Sequence, residues 1–240
     1  MTSTASVSRG CRGANTYCVM RQTYGGLRSK PLDAVLSEFD KGLAQGHREF
    51  RLMAQDLGAY GQDIGTEFIQ LLRALFDRPG QFQLQLIDVN IRWVVGYLDE
   101  LVELLSENVT RTRILQMPVQ SGSDRILELM RRGHTAAEAE GAFRAIREAM
   151  PDLLLVTHAL VGFPSETEED FEKTVRLLRT GRFDRVDIFD YSDRPGTAAS
   201  RMPDKVPAGI IRARSRRLHR EYGGPAAGLA CSVRSRFLRD

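Results

Sequence analysis

The stretch LLLVTHALVGFPSETEEDFEKTVRLLRTGRFDRVDIFDY, residues 153–191, decides the fold. LLLVTHALVGF (153–163) is an apolar, partly β-branched run that reads as a buried strand. TEEDFEKTVRLLR (167–179) opens on acidic residues, which suit the positive end of a helix dipole, and Gly181 stops it. RVDIFDY (185–191) is a second strand. Strand, helix, strand is a crossover unit, and a crossover makes its two strands parallel.

The same rhythm runs upstream. Thr135 and Glu138 form a capping box that opens a helix ended by Pro151. RILQMPV (113–119) is strand-like and YLDELVELLSE (97–107) helical, preceded by the alternating FQLQLID (82–88). TEFIQLLRALF (66–76) is a helix and REFRLMAQD (48–56) a buried strand. A helix over 31–45 starts at Pro31, stops at Gly46 and presents Leu32, Val35, Leu36, Phe39 and Leu43 on one face. With a short strand before Cys11, about six parallel strands alternate with helices. The expected fold is α/β, an open, partial β/α barrel of about six parallel strands. Ligands of such folds bind at the C-terminal ends of the strands. Those ends carry the Cys11–Cys18 loop, Gln55-Asp56, Asp88-Val89-Asn90, Gln120–Ser123, Gly162–Glu166 and Tyr191–Thr197.

Composition narrows the class. The 240 residues are 42% hydrophobic and 27% charged, as in soluble globular proteins. No apolar run reaches the length of a membrane span and no signal-peptide core opens the chain, so the expected address is cytoplasmic, away from membranes. Three cysteines point to reduced thiols. Residues 201–240 carry ten Lys/Arg against three Asp/Glu, a net +7 that leaves −4 for the rest. A helix is expected over 208–219, then an irregular basic tail over 221–240; such a region can contact RNA, although solvated arginine-rich helices are commoner. No serine-hydrolase order, Walker loop or HExxH helix competes, and the four histidines show no ligand spacing.

GCRGANTYCVM (10–20) followed by GGLRSKP (25–31) resembles the cluster loop of radical S-adenosylmethionine (SAM) enzymes, specifically the methylthiotransferases of tRNA and a ribosomal protein. LMAQDLGAYG (52–61), MPVQSGSDRILELMRR (117–132), VGFPSETEEDF (161–171) and YSDRPGTAASRMPDKVP (191–207) match the same family in the same order. The likeness covers about residues 7–220. The family's loop is CxxxCxxC, which falls here on Cys11, Asn15 and Cys18. In the family three thiolates hold a 4Fe–4S cluster whose fourth iron binds SAM. The resemblance therefore implies SAM and a 4Fe–4S cluster as cofactors, with Cys11 and Cys18 as metal ligands. Asn15 counts against a complete cluster, because a neutral amide cannot supply a thiolate's charge. Cys231 lies in the tail and has no family counterpart.

The resemblance also implies SAM contacts from Tyr17, Gln55, Gln120, Ser121, Gly162, Tyr191 and Arg194. His158 stands where the family usually has Asp, and Ser165 where it has Gly. The expected organisation is a barrel over 1–220 with neither the family's N-terminal second-cluster domain nor its C-terminal TRAM barrel. Three functions stay open: a radical SAM enzyme with an impaired or unusual cluster, a SAM enzyme doing polar alkyl transfer, or a non-catalytic truncated homologue. Implied partners are a small-molecule or modified-nucleotide substrate and, with a working cluster, a reductant such as flavodoxin or ferredoxin.

Overall fold

A computed structural model describes residues 2–181 and 183–222. In chain order the elements are β1 (Thr2–Ser6), β2 (Ser8–Arg9), α1 (Met20–Tyr24), β3 (Arg28–Ser29), α2 (Leu32–Ala44) and β4 (Glu49–Met53). Next come α3 (Phe68–Phe76), β5 (Gln83–Leu86), α4 (Ile91–Gly96), α5 (Leu98–Glu107), β6 (Thr112–Gln116) and α6 (Asp124–Met130). The chain continues through α7 (Ala136–Ala149), β7 (Leu154–Val161), α8 (Glu168–Thr180), β8 (Arg185–Asp190) and α9 (Ala208–Tyr222). One sheet has six strands in the order β1-β4-β5-β6-β7-β8, and all its pairings are parallel. β1 and β8 remain at opposite edges, so the sheet is an open, partial barrel, as the sequence led one to expect.

Alternation along the strands makes the two faces of the sheet different. Phe50, Leu52, Leu84, Leu86, Leu115, Met117 and Leu155 are buried in the main core with the helices. Their neighbours turn the other way. There Arg51 Nε donates to Gln85 Oε1 at 3.0 Å, Arg113 meets Glu49 at 2.6 Å, and His158 lies 3.6 Å from Asp187. The convex face is hydrocarbon, and the concave face is largely polar.

The helices begin where local chemistry permits. Thr135 with Glu138 and Thr167 with Asp170 each form a reciprocal capping box. Each satisfies two N–H groups that a helix start leaves without partners. Three helices, α1, α4 and α6, lie outside the sequence reading; each is only five to seven residues long. The ladder of β6 also ends earlier than expected, at Gln116, and the chain rejoins β7 by one bridge from Gln120 to Ala159.

The basic helix expected over 208–219 is α9, which extends to Tyr222. Glu221 and Tyr222 are therefore helical; the rest of the expected tail, with Cys231, lies outside the described residues. Ile211 packs against Gly162, where an added Cβ would stand 2.4 Å from its side chain. Arg214, 7% exposed at its side chain, bonds Glu166 at 2.8 Å and Glu168 at 2.9 Å. Burial pushes the Glu166 carboxyl up to about 7, against the opposing pull of the Gly162 N–H and Arg214. Among the described residues, no helix is long and apolar enough to cross a membrane.

Removing one partner of a buried ion pair leaves the other charge stranded. Arg214→Met is expected to cost about 3–5 kcal/mol, read as a fall in the urea midpoint at an unchanged slope. A loss below about 1 kcal/mol, the range of exposed pairs, would show that α9 is not fastened through this contact.

Candidate functional site

All six parallel strands point their C-terminal ends at one rim, so the Cys11–Cys18 loop after β1 and Gln120 after β6 share the barrel mouth. The loop is held by protein groups along its length. At its base Gly10 has φ 79°, and a Cβ there would lie 2.1 Å from Gly26 O, so only glycine permits this approach. Gly10 N–H donates to Gln55 Oε1 at 2.7 Å and Cys11 N–H to Gly25 O at 3.2 Å. Thr16 donates from its N–H to Met130 O and from its hydroxyl to Leu129 O, at 3.1 and 2.7 Å, and Ala199 N–H donates to Thr16 O.

Cys11 is 9% exposed and its sulfur accepts from Gly13 N–H at 3.0 Å. Cys18 accepts from Met20 N–H at 3.5 Å. Burial pushes both thiols above the usual range, although each N–H pulls the other way. Asn15 stands between them in sequence and turns its amide to the end of α6. In the amide orientation that pairs both its atoms, it donates to Arg131 O at 3.2 Å and accepts from Arg132 Nη1 at 3.3 Å.

Arg132 is the cation at the centre of the mouth. It is 3% exposed; its Nη1 reaches Tyr17 Oη at 3.5 Å, its Nη2 donates to Pro118 O, and its Nε has no partner among the described residues. Tyr17 meets Phe163 edge-on at 6.4 Å, and burial raises its hydroxyl pKa despite Arg132. Two non-glycine residues adopt left-handed backbone at the ends of the adjacent strands β5 and β6: Asp88 at φ 62° and Gln120 at φ 76°. Such conformations cost free energy and cluster at functional sites. Gln120 is locked by its N–H to His158 O at 2.8 Å and by Leu160 N–H to its own carbonyl at 2.9 Å. Its side-chain Oε1 is buried without a partner among the described residues.

The other candidate residues are spent on structure to different degrees. Gln55 braces the loop. Ser121 is fully buried, bonded to Thr174 Oγ1 at 3.2 Å and accepting from Ser123 N–H. Gly162 donates to Glu166 Oε2 at 2.8 Å in the turn that receives α9. Tyr191 packs edge-on against Phe163 at 5.8 Å, with its hydroxyl 3.4 Å from Lys205 Nζ. Arg194 is exposed, and its carbonyl accepts from Thr197. Arg132 and the anchoring of Asn15 escaped the sequence reading, which named Asp88 only as part of a strand-end loop. Asp88 carried a signal as a carboxylate in a strand-end loop; Arg132 sat inside a quoted motif without spacing that marked it.

The model of the Radical SAM superfamily matches residues 5–178. The chain belongs to the Radical SAM superfamily. Within it, the chain is 40% identical over 214 residues to a probable threonylcarbamoyladenosine tRNA methylthiotransferase of Archaeoglobus fulgidus, covering 89% of this chain and 50% of that protein. It is 37% identical over 243 residues to the ribosomal protein uS12 methylthiotransferase of Myxococcus xanthus, covering 95% of this chain and 49% of the relative. The chain thus spans about half the length of these curated relatives. Among solved structures, a radical SAM methyltransferase from Kitasatospora setae, with cobalamin and a [4Fe–4S] cluster bound, superposes with a TM-score of 0.67 at 18% identity. That match covers 82% of this chain and 36% of the other. At that identity the likeness speaks for the radical SAM fold alone.

Two cofactors follow from membership in the superfamily, and the donor sets treat them differently. SAM is a polar ligand, and the mouth offers it a buried acceptor at Gln120 Oε1, a buried donor at Arg132 Nε and a carboxylate at Asp88. The site fits such a ligand. A 4Fe–4S cluster held by three thiolates does not fit, since two thiols and an amide tied to Arg131 and Arg132 stand in its place. Among the described residues, no group of three or more His, Cys, Asp or Glu side chains could hold a metal ion.

Burial pushes the Asp88 carboxyl up to about 6, with the Asp56 charge adding to it and Arg132 opposing. A carboxyl raised on folding is favoured protonated, so its contribution is best below the ordinary carboxylate range and is lost as pH rises through about 6. Asp88→Asn is expected to be more stable than the parent by about 2–3 kcal/mol at pH 7.5, with the advantage gone near pH 4. Urea unfolding at the two pH values measures it; a pH-independent difference would mean that Asp88 does not carry this charge cost.

Proposed function

We propose that the barrel, residues 1–220, is a SAM-dependent enzyme unit of the radical SAM type whose iron site is impaired. The observation that carries this reading is Asn15, at the middle ligand position and bonded to Arg131 and Arg132. An amide so engaged gives iron no charge, and both its donor and its acceptor are already bonded to the Arg131–Arg132 turn. The loop keeps its shape through Gln55, Gly25, Leu129 and Met130, so the SAM-facing mouth does not need iron to form.

The substrate in this reading is a small molecule or a modified nucleotide, in a cytoplasmic setting. Contact with RNA would come through the exposed arginines of α9, and a flavodoxin- or ferredoxin-type reductant would be needed if a cluster operates. Tyr17, Gln120 and Asp88 are the side chains assigned to SAM, with Gln55 and Gly162 shaping the loops around it. Tyr191, Ser121 and Arg194 lie farther from that role, in contacts of their own. The polar alternative is favoured by the same engaged amide: a SAM-bearing mouth without iron can still orient the methyl group for transfer to a nucleophile.

Anaerobic reconstitution with iron and sulfide separates these readings. The parent chain is expected to hold little iron, whereas Asn15→Cys should gain iron towards roughly four per chain with the broad visible absorbance of a thiolate-bound cluster. Adding Cys11→Ala to that variant should erase the gain. A parent chain that already holds a full cluster and cleaves SAM would overturn the impaired-site reading. An Asn15→Cys variant that gains no iron would favour the polar alternative.

A further inference from the structure

We propose that Asp88 reads the positive charge of the ligand at the barrel mouth, the sulfonium centre of SAM, and so selects SAM over its neutral-sulfur product S-adenosylhomocysteine. This rests on the reading of the mouth as a SAM site. Three carboxylates act on one another there, and two already have partners. Both oxygens of Asp56 accept from Trp93 Nε1, at 3.0 and 2.9 Å. Asp187 is paired with Arg185 at 2.8 Å and faces His158. The Asp88 carboxylate makes no hydrogen bond or ion pair among the described residues.

The fold nevertheless fixes Asp88 firmly. Its N–H donates to Gln116 Oε1 at 3.2 Å, and its carbonyl accepts from Leu57 N–H at 3.0 Å. These two bonds hold the residue in left-handed backbone, which L-residues adopt less readily than glycine. The Asp88 charge acts on Tyr17 and on Cys18, so it faces the loop where the superfamily places its cofactor. The nearby cation does not neutralise it by contact: the Arg132 Nη atoms are taken by Asn15, Tyr17 and Pro118.

A half-buried carboxylate without a counter-ion loses part of its hydration and gains when a cation arrives. SAM's sulfonium is a permanent cation with no N–H to donate, so only charge can recognise it. Charge is felt most strongly where water is excluded. S-adenosylhomocysteine lacks one methyl group and that charge while keeping the adenosyl, ammonium and carboxylate groups. The ratio of the two affinities therefore isolates the contact assigned to Asp88.

The test is titration calorimetry of the full chain with SAM and with S-adenosylhomocysteine, for the parent and for Asp88→Asn. Asparagine matches the shape of Asp and tolerates left-handed backbone well among residues with a side chain, so the strand end is preserved. The parent should prefer SAM by about tenfold or more, and Asp88→Asn should lose most of that preference while its affinity for S-adenosylhomocysteine changes by less than about twofold. Equal weakening of both ligands would make Asp88 a shaping residue, and an unchanged preference would place charge recognition elsewhere; either result overturns the inference and leaves the SAM site standing. A parent chain that binds neither ligand would overturn the SAM-site reading and this inference with it.

Discussion

Parallel pairing is the constraint on which the rest of this molecule depends. Each strand must return to the same end of the sheet before the next can pair, so every strand is followed by a crossover on the convex side. That requirement covers one face with helices and makes it apolar. It also gathers every strand-end loop on one rim. Cys11, Gln55, Asp88, Gln120 and Gly162 are far apart in sequence, yet they share that rim because five different strands deliver them there.

The rim is where stability has been conceded. Left-handed backbone at Asp88 and Gln120, an orphaned Gln120 oxygen and a half-buried carboxylate without a partner among the described residues are each unfavourable by themselves. They sit in the loops just beyond β5 and β6, the strands in the middle of the sheet, where packed neighbours on both sides resist relaxation. Helix starts and strand faces obey local rules: capping boxes open α7 and α8, and alternating strands bury Leu84, Leu86 and Leu115. Left-handed backbone also occurs at Arg131, Ser165 and Asp204, so what sets the rim apart is that two such residues meet there at the ends of neighbouring strands.

The Cys11–Cys18 loop is ordered by protein groups along its length. A metal-bound loop ordinarily draws its order from the metal. Here the turn from Cys11 to Cys18 is fastened to α6 by Thr16 and Asn15, and to Gln55 beyond β4. The Asn15 amide, at the position where the family's loop has its middle cysteine, is engaged by two hydrogen bonds to the Arg131–Arg132 turn.

The sequence by itself determined the layering and the family. Strand and helix periods differ, and hydrophobic residues at those periods are a local property, so β7, α8 and β8 were legible from residues 153–191 alone. The same holds for the spacing of Cys11, Asn15 and Cys18. Short helices such as α4 escaped because six residues are too few to establish a period. Only the tertiary structure decided which polar residues of the strand-end loops are occupied and which are free. Ser121 and Asp56, polar residues of such loops like Asp88 and Gln120, found Thr174 and Trp93. Hydrogen-bond satisfaction depends on groups brought from other strands and helices, and no local pattern encodes those partners.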